Sequence, residues 1–588
     1  MPYKYYSKLP FCAPAEIVDK AENLGEILLG DRIENSEYEI VARQTVKCKV
    51  LCKSDALSSA QIKDLADLVS DEYRATWVLD NLPATMPKVL QLVNGDTTTL
   101  YDQGFPIGFV GNPTEQPGSL DGFNYLNNHV NLKIMYHTEP DQYDGARIVG
   151  FEVEPESITH TLDFKADDPK AFPATCLKRD TGPQVLDPAA NNTVLVFTYS
   201  VVWEYSDTQW ANRWDKYLVS SDSQIHWFSI INSVMIVLFL TGMVAMIMTR
   251  TLNADFRRYN QLEPSEEAEE TGWKLVHGDV FRAPKMPMLL SVLVGSGVQV
   301  IMMTFVLLIF AVLGFLSPSN RGGLITALVV VFVSMGMFAG YFSTRLYKSF
   351  KGQYWKKNTI MTAVALPGSI FGIFFFINLF IWGEKSSGAV PFLTLLALIA
   401  LWFGVSVPLV FVGSYFAFKK PVEEPPVSVN QIPRQIPEQV WYLSPVFSVL
   451  MGGVLPFGAV FIELFFILTA VWGHQFYYIF TFLFIVFFIL IITCAEISII
   501  LVYFALCSEN YHWWWRAFLT SGASALYMFV YSIFYFFTKL AITHPVSILM
   551  YFAYSAIFAL AFFVMTGAIG ALASKVFVVA IYSSIKVE

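Results

Sequence analysis

The sequence is poor in charged residues. Only 15% of its 588 residues are Asp, Glu, Lys or Arg, and 54% are apolar, whereas soluble domains average about 25% charged residues. This composition excludes a chain made only of soluble domains. The basic residues also do not gather into the clustered face that a nucleic-acid-binding protein needs.

Motifs that carry chemistry are missing as well. The sequence has no nucleophile elbow, phosphate-binding loop or metallohydrolase signature. His277 and Asp279 stand close together, but no further ligand follows at a metal-binding spacing. We therefore expect a protein that is not an enzyme and that needs no cofactor or metal.

Cysteine is scarce and unevenly placed. Four of the six cysteines lie in the first 225 residues, and Cys494 and Cys507 lie in the apolar remainder. The first four are Cys12, Cys48, Cys52 and Cys176. In an oxidising compartment they form disulfides, and four cysteines allow three pairings that the sequence does not distinguish. The alternative is a zinc site at Cys48 and Cys52, although no histidine follows at the spacing of a zinc finger.

Residues 1–225 have the pattern of a β-rich domain and carry a large excess of acidic over basic residues. Short runs rich in β-branched and aromatic residues occur at 130–136, 147–154 and 193–205. Residues 58–69 have apolar positions at helical spacing. We predict a β-sandwich-like domain.

Residues 226–588 are dominated by long apolar runs, which predict a bundle of nine transmembrane helices. Each run is long enough to cross about 30 Å of hydrocarbon at 1.5 Å per residue. Pro408 and Pro456 are the expected kink points. The predicted spans are 226–248, 288–316, 323–344, 359–382, 389–418, 445–472, 477–506, 517–538 and 546–576.

The basic residues predict the orientation of the bundle. Sixteen of them fall in one alternating set of loops and only three, Arg321, Lys385 and Lys539, in the other set. Since basic loops stay in the cytosol, loops 249–287, 345–358, 419–444 and 507–516 and a short C-terminal tail are predicted to be cytosolic. Residues 1–225 are then lumenal.

A lumenal domain has two further consequences. Asn191 begins an Asn-Asn-Thr sequon, a possible glycosylation site there. Translocation of a domain this large needs a signal peptide, and Met1-Pro2-Tyr3-Lys4 is not followed by an apolar run. We therefore expect the start of the sequence to be truncated or processed.

Four strings in the sequence resemble one family, the nonaspanins or transmembrane nine superfamily. They are LPFC at Leu9–Cys12 with ENLGEILLGDRI at Glu22–Ile33, HWFSIINSVMIVLFLTGMVAMI at His226–Ile247, ETGWKLVHGDVFRAP at Glu270–Pro284 continued by LSVLVGSGVQ, and NQIPRQIPEQVWY at Asn430–Tyr442. The resemblance covers the whole chain in order. The family has a cleaved signal peptide before the LPFC region, and this sequence starts almost on it.

The resemblance implies a non-enzymatic sorting factor or cargo receptor of Golgi and endosomal membranes. Its expected clients are membrane proteins with glycine-rich transmembrane helices. The last residues, Lys586, Val587 and Glu588, look like the family's Lys-x-Asp/Glu signal, which the COPI coat (coatomer) binds for Golgi retention. A cation two residues from a carboxylate suits recognition by paired hydrogen bonds. The simpler interpretation of these three residues is a solvated chain end.

Glu463 and Glu496 support the alternative of a secondary transporter or channel. Both fall deep in predicted spans, where a carboxylate costs about 3 kcal/mol or more unless it faces the bundle interior or a cavity. Their positions in a helical hairpin differ by about ten residues, or roughly 15 Å along the axis, which argues against a direct carboxylate pair. The simpler interpretation is that each of the two carboxyl groups only accepts hydrogen bonds from neighbouring groups and has a structural role.

Small residues at a spacing of four favour close helix packing. Internal packing is the expected role, and docking of a client helix is the sharper hypothesis. The pairs are Gly336 with Gly340, Gly567 with Ala571, and Gly570 with Ser574. Residues 513–516, Trp-Trp-Trp-Arg, are expected to anchor the chain at the membrane interface.

Overall fold

The structure is a computed structural model of the full chain. It describes residues 2–91, 97–114, 118–141, 143–160, 182–189, 193–217, parts of 231–257, 272–316, 320–472 and 480–583. Side chains of helical residues 462–464 and 466–472 are outside the description. The predicted boundary near residue 225 falls between described segments.

The N-terminal part, which we call the sheet domain (described residues 2–217), is rich in β-strands as predicted. Its main sheet has six strands in the order β1-β12-β10-β11-β5-β6, and three two-stranded sheets join β2 to β7, β3 to β4 and β8 to β9. The strands are β1 Val46–Lys53, β2 Arg74–Ala75, β3 Val78–Leu79, β4 Leu82–Pro83, β5 Thr85–Gln91, β6 Thr97–Gln103, β7 Phe105–Pro106, β8 Gly108–Val110, β9 Asn124–Leu126, β10 His129–His137, β11 Arg147–Glu156 and β12 Val196–Tyr205.

The main sheet is built on its three central strands. β10 pairs antiparallel with β11 and parallel with β12. Alternate β10 residues, Val130, Leu132 and Ile134, are buried in one core cluster, because successive side chains of a strand point to opposite faces. The predicted strands at 130–136, 147–154 and 193–205 correspond to β10, β11 and β12.

Three helices accompany the sheets: α1 Tyr5–Lys8, α2 Leu24–Leu29 and α3 Ser59–Ser70. α3 begins with a capping box in which Ser58 and Gln61 satisfy each other's backbone N–H groups. Ile62, Leu65, Ala66 and Val69 are buried at helical spacing. The predicted helix at 58–69 is confirmed.

A disulfide links the N-terminal segment to the sheet. Cys12 is bonded to Cys52 of β1, with 5.8 Å between the Cα atoms. Cys48 is also disulfide-bonded, and Cys176 lies outside the described residues. Because Cys48 and Cys52 are both oxidised, neither supplies a thiolate to zinc, and the zinc alternative is wrong.

The remainder is a helical bundle. Among the described residues, seven spans are long and apolar enough to cross a membrane. Two shorter apolar stretches, Val237–Arg250 (α4) and Pro445–Gly458 in the first half of α11, bring the number to nine, as predicted. The helices are α4 Val237–Arg250, α5 Pro287–Val312, α6 Gly323–Ser334, α7 Gly336–Ser349, α8 Trp355–Gly383, α9 Phe392–Leu401, α10 Val407–Lys419, α11 Pro445–Trp472, α12 Phe480–Cys507, α13 Trp513–Gly522, α14 Ser524–Lys539 and α15 Pro545–Ser583.

Three of these spans are made of two helices each. α6 and α7 meet at Met335, α13 and α14 meet at Ala523, and a π-helical turn at Trp402–Ser406 joins α9 to α10. Pro408 lies in the first turn of α10, two residues after Ser406, so the predicted kink point lies beside a departure from α-helical geometry. Pro456 lies inside α11.

The long helix α15 is central to the bundle. It packs against α5, α8, α12, α13 and α14, and Val564, Ala568 and Val578 on it are fully buried. The α7–α10 and α5–α7 pairs are further extensive helix contacts.

Candidate functional site on the membrane-spanning bundle

Of the two predicted intramembrane carboxylates, the structure places Glu496 on α12, and its side chain is half-buried. The hydroxyl group of Thr241 on α4 forms a hydrogen bond with the Glu496 side chain, which is the partner that a carboxyl group in a membrane requires. Glu463 lies on α11, but its side chain is outside the described residues.

The predicted small-residue pairs are used inside the bundle. A Cβ atom added at Gly340 would lie 2.0 Å from the carbonyl oxygen of Val410 on α10. At Gly570 it would lie 2.4 Å from Ser498 Oγ, and at Gly567 it would lie 2.7 Å from the Phe518 ring. These glycines allow close helix contact. Internal packing is thus their role, and no client helix has access to these faces in this arrangement.

A different glycine pair, which sequence reasoning missed, is open. Gly368 and Gly372 on α8 are separated by one helical turn. A Cβ added at Gly372 meets nothing within 4 Å, and one added at Gly368 meets only van der Waals contacts, 3.5 Å or more away. We call this pair the glycine notch.

Large apolar side chains continue the outer face of α8 on both sides of the notch. At successive four-residue steps, Ile360 and Val364 precede it and Phe376 and Phe380 follow it. These side chains are 51%, 39%, 56% and 43% exposed, respectively. Residues four apart share one helix face. The notch is therefore a depression in a continuous surface that faces the hydrocarbon.

The helices around the notch are the least buried spans. In the most apolar 18-residue stretch of each span, only 22% of α8 and 17% of the α9–α10 span is buried. The corresponding share is 44–56% for α5, α12, α15 and the α13–α14 span. Gly404, in the π turn, is also open, with nothing within 4 Å of an added Cβ. This edge of the bundle therefore presents an uncovered small-residue surface.

The notch is supported from within. Pro367 lies inside α8 and lacks the N–H that would bond the carbonyl of Ala363, four residues earlier. The indole nitrogen of Trp402 donates a hydrogen bond to that carbonyl instead, at 3.0 Å. The tip of the same indole ring lies 3.5 Å from the position of a Cβ added at Gly368. Trp402 thus satisfies the backbone beside the notch and lines its edge at Gly368.

Parts of three loops that are predicted to be cytosolic form one packed layer, which we call the basic-side cap: residues 272–286, 420–444 and 508–515 with the end of α15. Trp273, Trp513 and Tyr582 are its fully buried aromatic residues. The Tyr582 hydroxyl donates to the carbonyl of Trp273 at 2.6 Å, and the Trp513 indole donates to the carbonyl of Val280 at 2.8 Å. The cap therefore fixes the end of α15.

The Trp-Trp-Trp-Arg segment differs from its predicted role. Trp513 and Trp514 are 0% and 5% exposed, in the core of the cap, and only Trp515 is partly exposed. The indole N–H groups of Trp513 and Trp515 donate to the backbone carbonyls of Val280 and Lys285 in the loop 272–286, as expected for packed indoles. The indole nitrogen of Trp514 is buried without a hydrogen-bond partner among the described residues. The segment packs protein against protein rather than anchoring the surface in lipid.

The proline-rich loop, residues 420–440, has no helix or strand and is bound to the rest of the cap. Asp279 accepts hydrogen bonds from the guanidinium group of Arg282 and from the backbone N–H of Arg434. Arg434 also pairs with Glu509 at 2.9 Å. A Cβ at Gly278 would clash with Asn430, 2.2 Å away. Asp279 is thus a structural acceptor, and the described residues hold no cluster of three metal-ligating side chains.

Glu423 fastens the start of the same loop. It accepts from Lys575 Nζ at 2.8 Å and from Arg345 Nε at 3.0 Å. Burial raises the pKa of this carboxyl group, but the two cations outweigh burial and lower the pKa overall. The loop is therefore a fixed connector across the basic side.

On the opposite side of the bundle, α2 holds the sheet domain against the loop between α5 and α6. The side chain of Asn23 donates to the carbonyl of Arg321 at 2.6 Å, and Arg321 pairs with Asp31 at 3.1 Å. A Cβ at Gly25 would lie 1.9 Å from the carbonyl oxygen of Gly322. We call this contact the α2 latch; the ENLGEILLGDRI string encodes it.

Several predicted site residues lie outside the described part of the chain. They are Cys176, Asn191, Lys586, Val587 and Glu588. The roles predicted for them remain predictions.

Comparison with known proteins gives the family. Residues 2–545 match the family model described as endomembrane protein 70. The chain is 55% identical to transmembrane 9 superfamily member 8 of Arabidopsis thaliana, 48% to member 4 of Homo sapiens and 47% to member 2 of Rattus norvegicus. Each alignment covers 100% of this chain and 90%, 92% and 89% of the relative. No solved structure matches the chain.

The family match extends over both the sheet domain and the bundle, at identities that leave no doubt about common descent. The resemblance drawn from the sequence motifs is confirmed. The chain belongs to the endomembrane protein 70 family of multi-pass membrane proteins, the transmembrane 9 superfamily.

Proposed function

We propose that the protein is a non-enzymatic sorting factor or cargo receptor of Golgi and endosomal membranes, and that it receives membrane proteins through their glycine-rich transmembrane helices. The observation that carries the proposal is the glycine notch, a small-residue depression on the lipid-facing side of α8. Family membership places the protein in the endomembrane group.

The notch suits a glycine-rich client for a physical reason. Apolar burial gives no driving force between helices in lipid, so association depends on close packing and backbone contact. Gly368 and Gly372 let a partner backbone approach, and a partner that also carries glycine approaches closest. A leucine-rich helix is held away by its own side chains.

The test is delivery of a client to the cell surface. In cells that depend on this chain, the double variant Gly368→Leu with Gly372→Leu should reduce surface delivery of a protein with a glycine-rich helix several-fold. Gly458→Leu is the matched control, because Gly458 on α11 is also open, with nothing within 4 Å. Equal delivery by the double variant and the control would remove the notch from the proposal.

We also propose that coatomer binds the tail Lys586-Val587-Glu588 and retains the protein in the Golgi. The last described residues support this, since Tyr582 and Ser583 at the end of α15 lie at the basic-side cap. Lys586→Ala should move the protein out of the Golgi, whereas Lys539→Ala, on the other side of the bundle, should not. An unchanged location for Lys586→Ala contradicts this part of the proposal.

A transporter or channel is the second candidate, and the half-buried Glu496 with its Thr241 partner is the observation that favours it. Ion flux in proteoliposomes separates the two functions. Flux that is lost in Glu496→Gln, together with normal client delivery, would favour transport. The absence of flux in the unmodified protein would dismiss it.

A further inference from the structure

A cleft on the sheet domain has the chemistry of a binding site that is separate from the bundle. Its volume is about 590 Å³, within the range of about 300–1,000 Å³ usual for small-ligand sites. It is lined by Asp80, Ala146, Arg147, Ile148 and Trp210.

Three different chain segments bring the polar residues of the cleft together. Asp80 lies in the two-residue turn between β3 and β4, where Asp80 and Asn81 have φ angles of 48° and 66°, as a tight hairpin requires. Arg147 begins β11. Trp210 begins the 3₁₀ turn Trp210–Asn212. Strands and short turns fix all three positions.

Trp210 offers an aromatic surface to the cleft. Its side chain is 44% exposed, which is unusual for so large an apolar group. The guanidinium carbon of Arg213 lies 4.6 Å from its ring centre and that of Arg147 lies 5.5 Å away, both within cation–π distance. The cations fix the ring while leaving much of its surface uncovered.

The two arginines differ in whether their guanidinium donors are already used. Arg213 is 6% exposed; its guanidinium group donates to Asp80 at 2.8 Å and to the carbonyl of Ile148 at 3.1 Å. Arg147 is exposed and lies over the Tyr143 ring at 4.0 Å. Within the described part of the chain, no carboxylate comes within ion-pair distance of Arg147. The cleft therefore keeps one positive charge with an unused planar donor fork.

We propose that this cleft binds an acidic sugar, meaning a pyranose that carries a carboxylate. A guanidinium fork matches a carboxylate with two parallel hydrogen bonds. An exposed indole packs against the apolar face of a sugar ring and offers its N–H as a donor. Asp80, whose side chain is 53% exposed, accepts hydrogen bonds from sugar hydroxyl groups. An acidic sugar combines the three features that these side chains match: a carboxylate, hydroxyl groups and a flat apolar face.

The experiment uses the full chain in nanodiscs, with saturation-transfer NMR and calorimetry. The probes are a glucuronic-acid-terminated disaccharide, sialyllactose, neutral lactose and an acidic peptide. We expect binding of at least one acidic sugar, at least tenfold weaker binding of lactose and of the peptide, and loss of binding in Trp210→Ala. Arg147→Met should weaken binding at least tenfold, and Arg147→Lys should do so less.

Arg43→Met is the matched control, because Arg43 also lies over an aromatic ring of the sheet domain, 5.1 Å from the centre of Tyr136. It should bind as the unmodified protein does. Three results would overturn the proposal: no binding of either acidic sugar, equal binding by Arg147→Met and Arg43→Met, or binding of the acidic peptide alone. The mild Arg147→Lys change keeps the test valid even where a larger substitution disturbs folding.

Discussion

Two histidines in the sheet domain predict that its stability depends on pH. His129 Nδ1 lies 2.7 Å from the hydroxyl group of Thr198, and the same hydroxyl lies 3.2 Å from His160 Nε2. His129 Nε2 also lies 3.1 Å from the side-chain oxygen of Asn131. Since an amide oxygen only accepts, Nε2 carries a proton and Nδ1 accepts from Thr198. A neutral His129 therefore fits this network.

Both histidines resist protonation. Burial lowers the pKa of His160 to about 4, with a further contribution from the nearby His129. Burial also lowers the pKa of His129, against opposing effects of Asn131 and of the carboxylate of Glu156. In the unfolded chain, histidine titrates at about 6.5. The unfolded state thus binds more protons between pH 6.5 and pH 4, and folding stability falls as the pH falls through this range.

The magnitude follows from the shift of His160. A pKa lowered from 6.5 to about 4 corresponds to roughly 3 kcal/mol at 1.36 kcal/mol per unit. Because the side chain is partly exposed, solvent screening reduces this to about 1–2 kcal/mol. His160→Gln keeps an N–H donor for Thr198 and removes the titration. The variant should therefore lose about 1–2 kcal/mol less stability than the unmodified protein between pH 7.5 and pH 4.

Denaturant unfolding of the sheet domain, followed by tryptophan fluorescence with disulfides intact, measures the difference. His137→Gln is the matched control, because His137 lies at the other end of β10 and contacts the backbone carbonyl of Ser206 instead of a second histidine. If His160→Gln and the unmodified protein lose the same stability on acidification, the histidine network does not carry the pH dependence.

Two further predictions concern packing. Trp402→Phe should destabilise the bundle by about 0.5–1.5 kcal/mol, because the carbonyl of Ala363 loses its hydrogen-bond donor. Adding Pro367→Ala should restore the stability, because the alanine supplies a backbone N–H to that carbonyl. Unfolding of the two variants by steric trapping measures both effects, and a double variant as unstable as Trp402→Phe would contradict this explanation. Gly25→Val should open the α2 latch, because its Cβ would lie 1.9 Å from the carbonyl oxygen of Gly322; hydrogen exchange across residues 24–29 should rise at least tenfold, and unchanged exchange would show that the contact tolerates a side chain.

Periodicity and composition predicted the architecture well. The alternation of apolar and polar residues predicted β10, because this strand has one buried and one less buried face. The uniformly apolar runs predicted the membrane spans, because a segment in the hydrocarbon must satisfy all its backbone hydrogen bonds internally, as a helix does. Boundaries inside spans, such as the junction at Met335, were not predicted, since neighbouring helices rather than local sequence determine them.

The functional surfaces were predicted less well, because spacing does not show which helix face is covered. Gly336 with Gly340 and Gly368 with Gly372 have the same pattern. α10 covers the first pair and nothing described covers Gly372. The one local signal was Pro367, which directly precedes the open pair and implies a freed carbonyl and a nearby donor. The Cys12–Cys52 pairing likewise needed the fold.

The direct test of the account is crosslinking at the glycine notch itself. A photoreactive amino acid at Phe376, one turn beyond Gly372 on the same exposed face, should capture a co-expressed glycine-rich transmembrane helix in native membranes. A leucine-rich helix of equal length should be captured several-fold less, and Gly368→Leu with Gly372→Leu should abolish the difference. Equal capture of the two helices by the unmodified protein would contradict a role for the notch in client recognition.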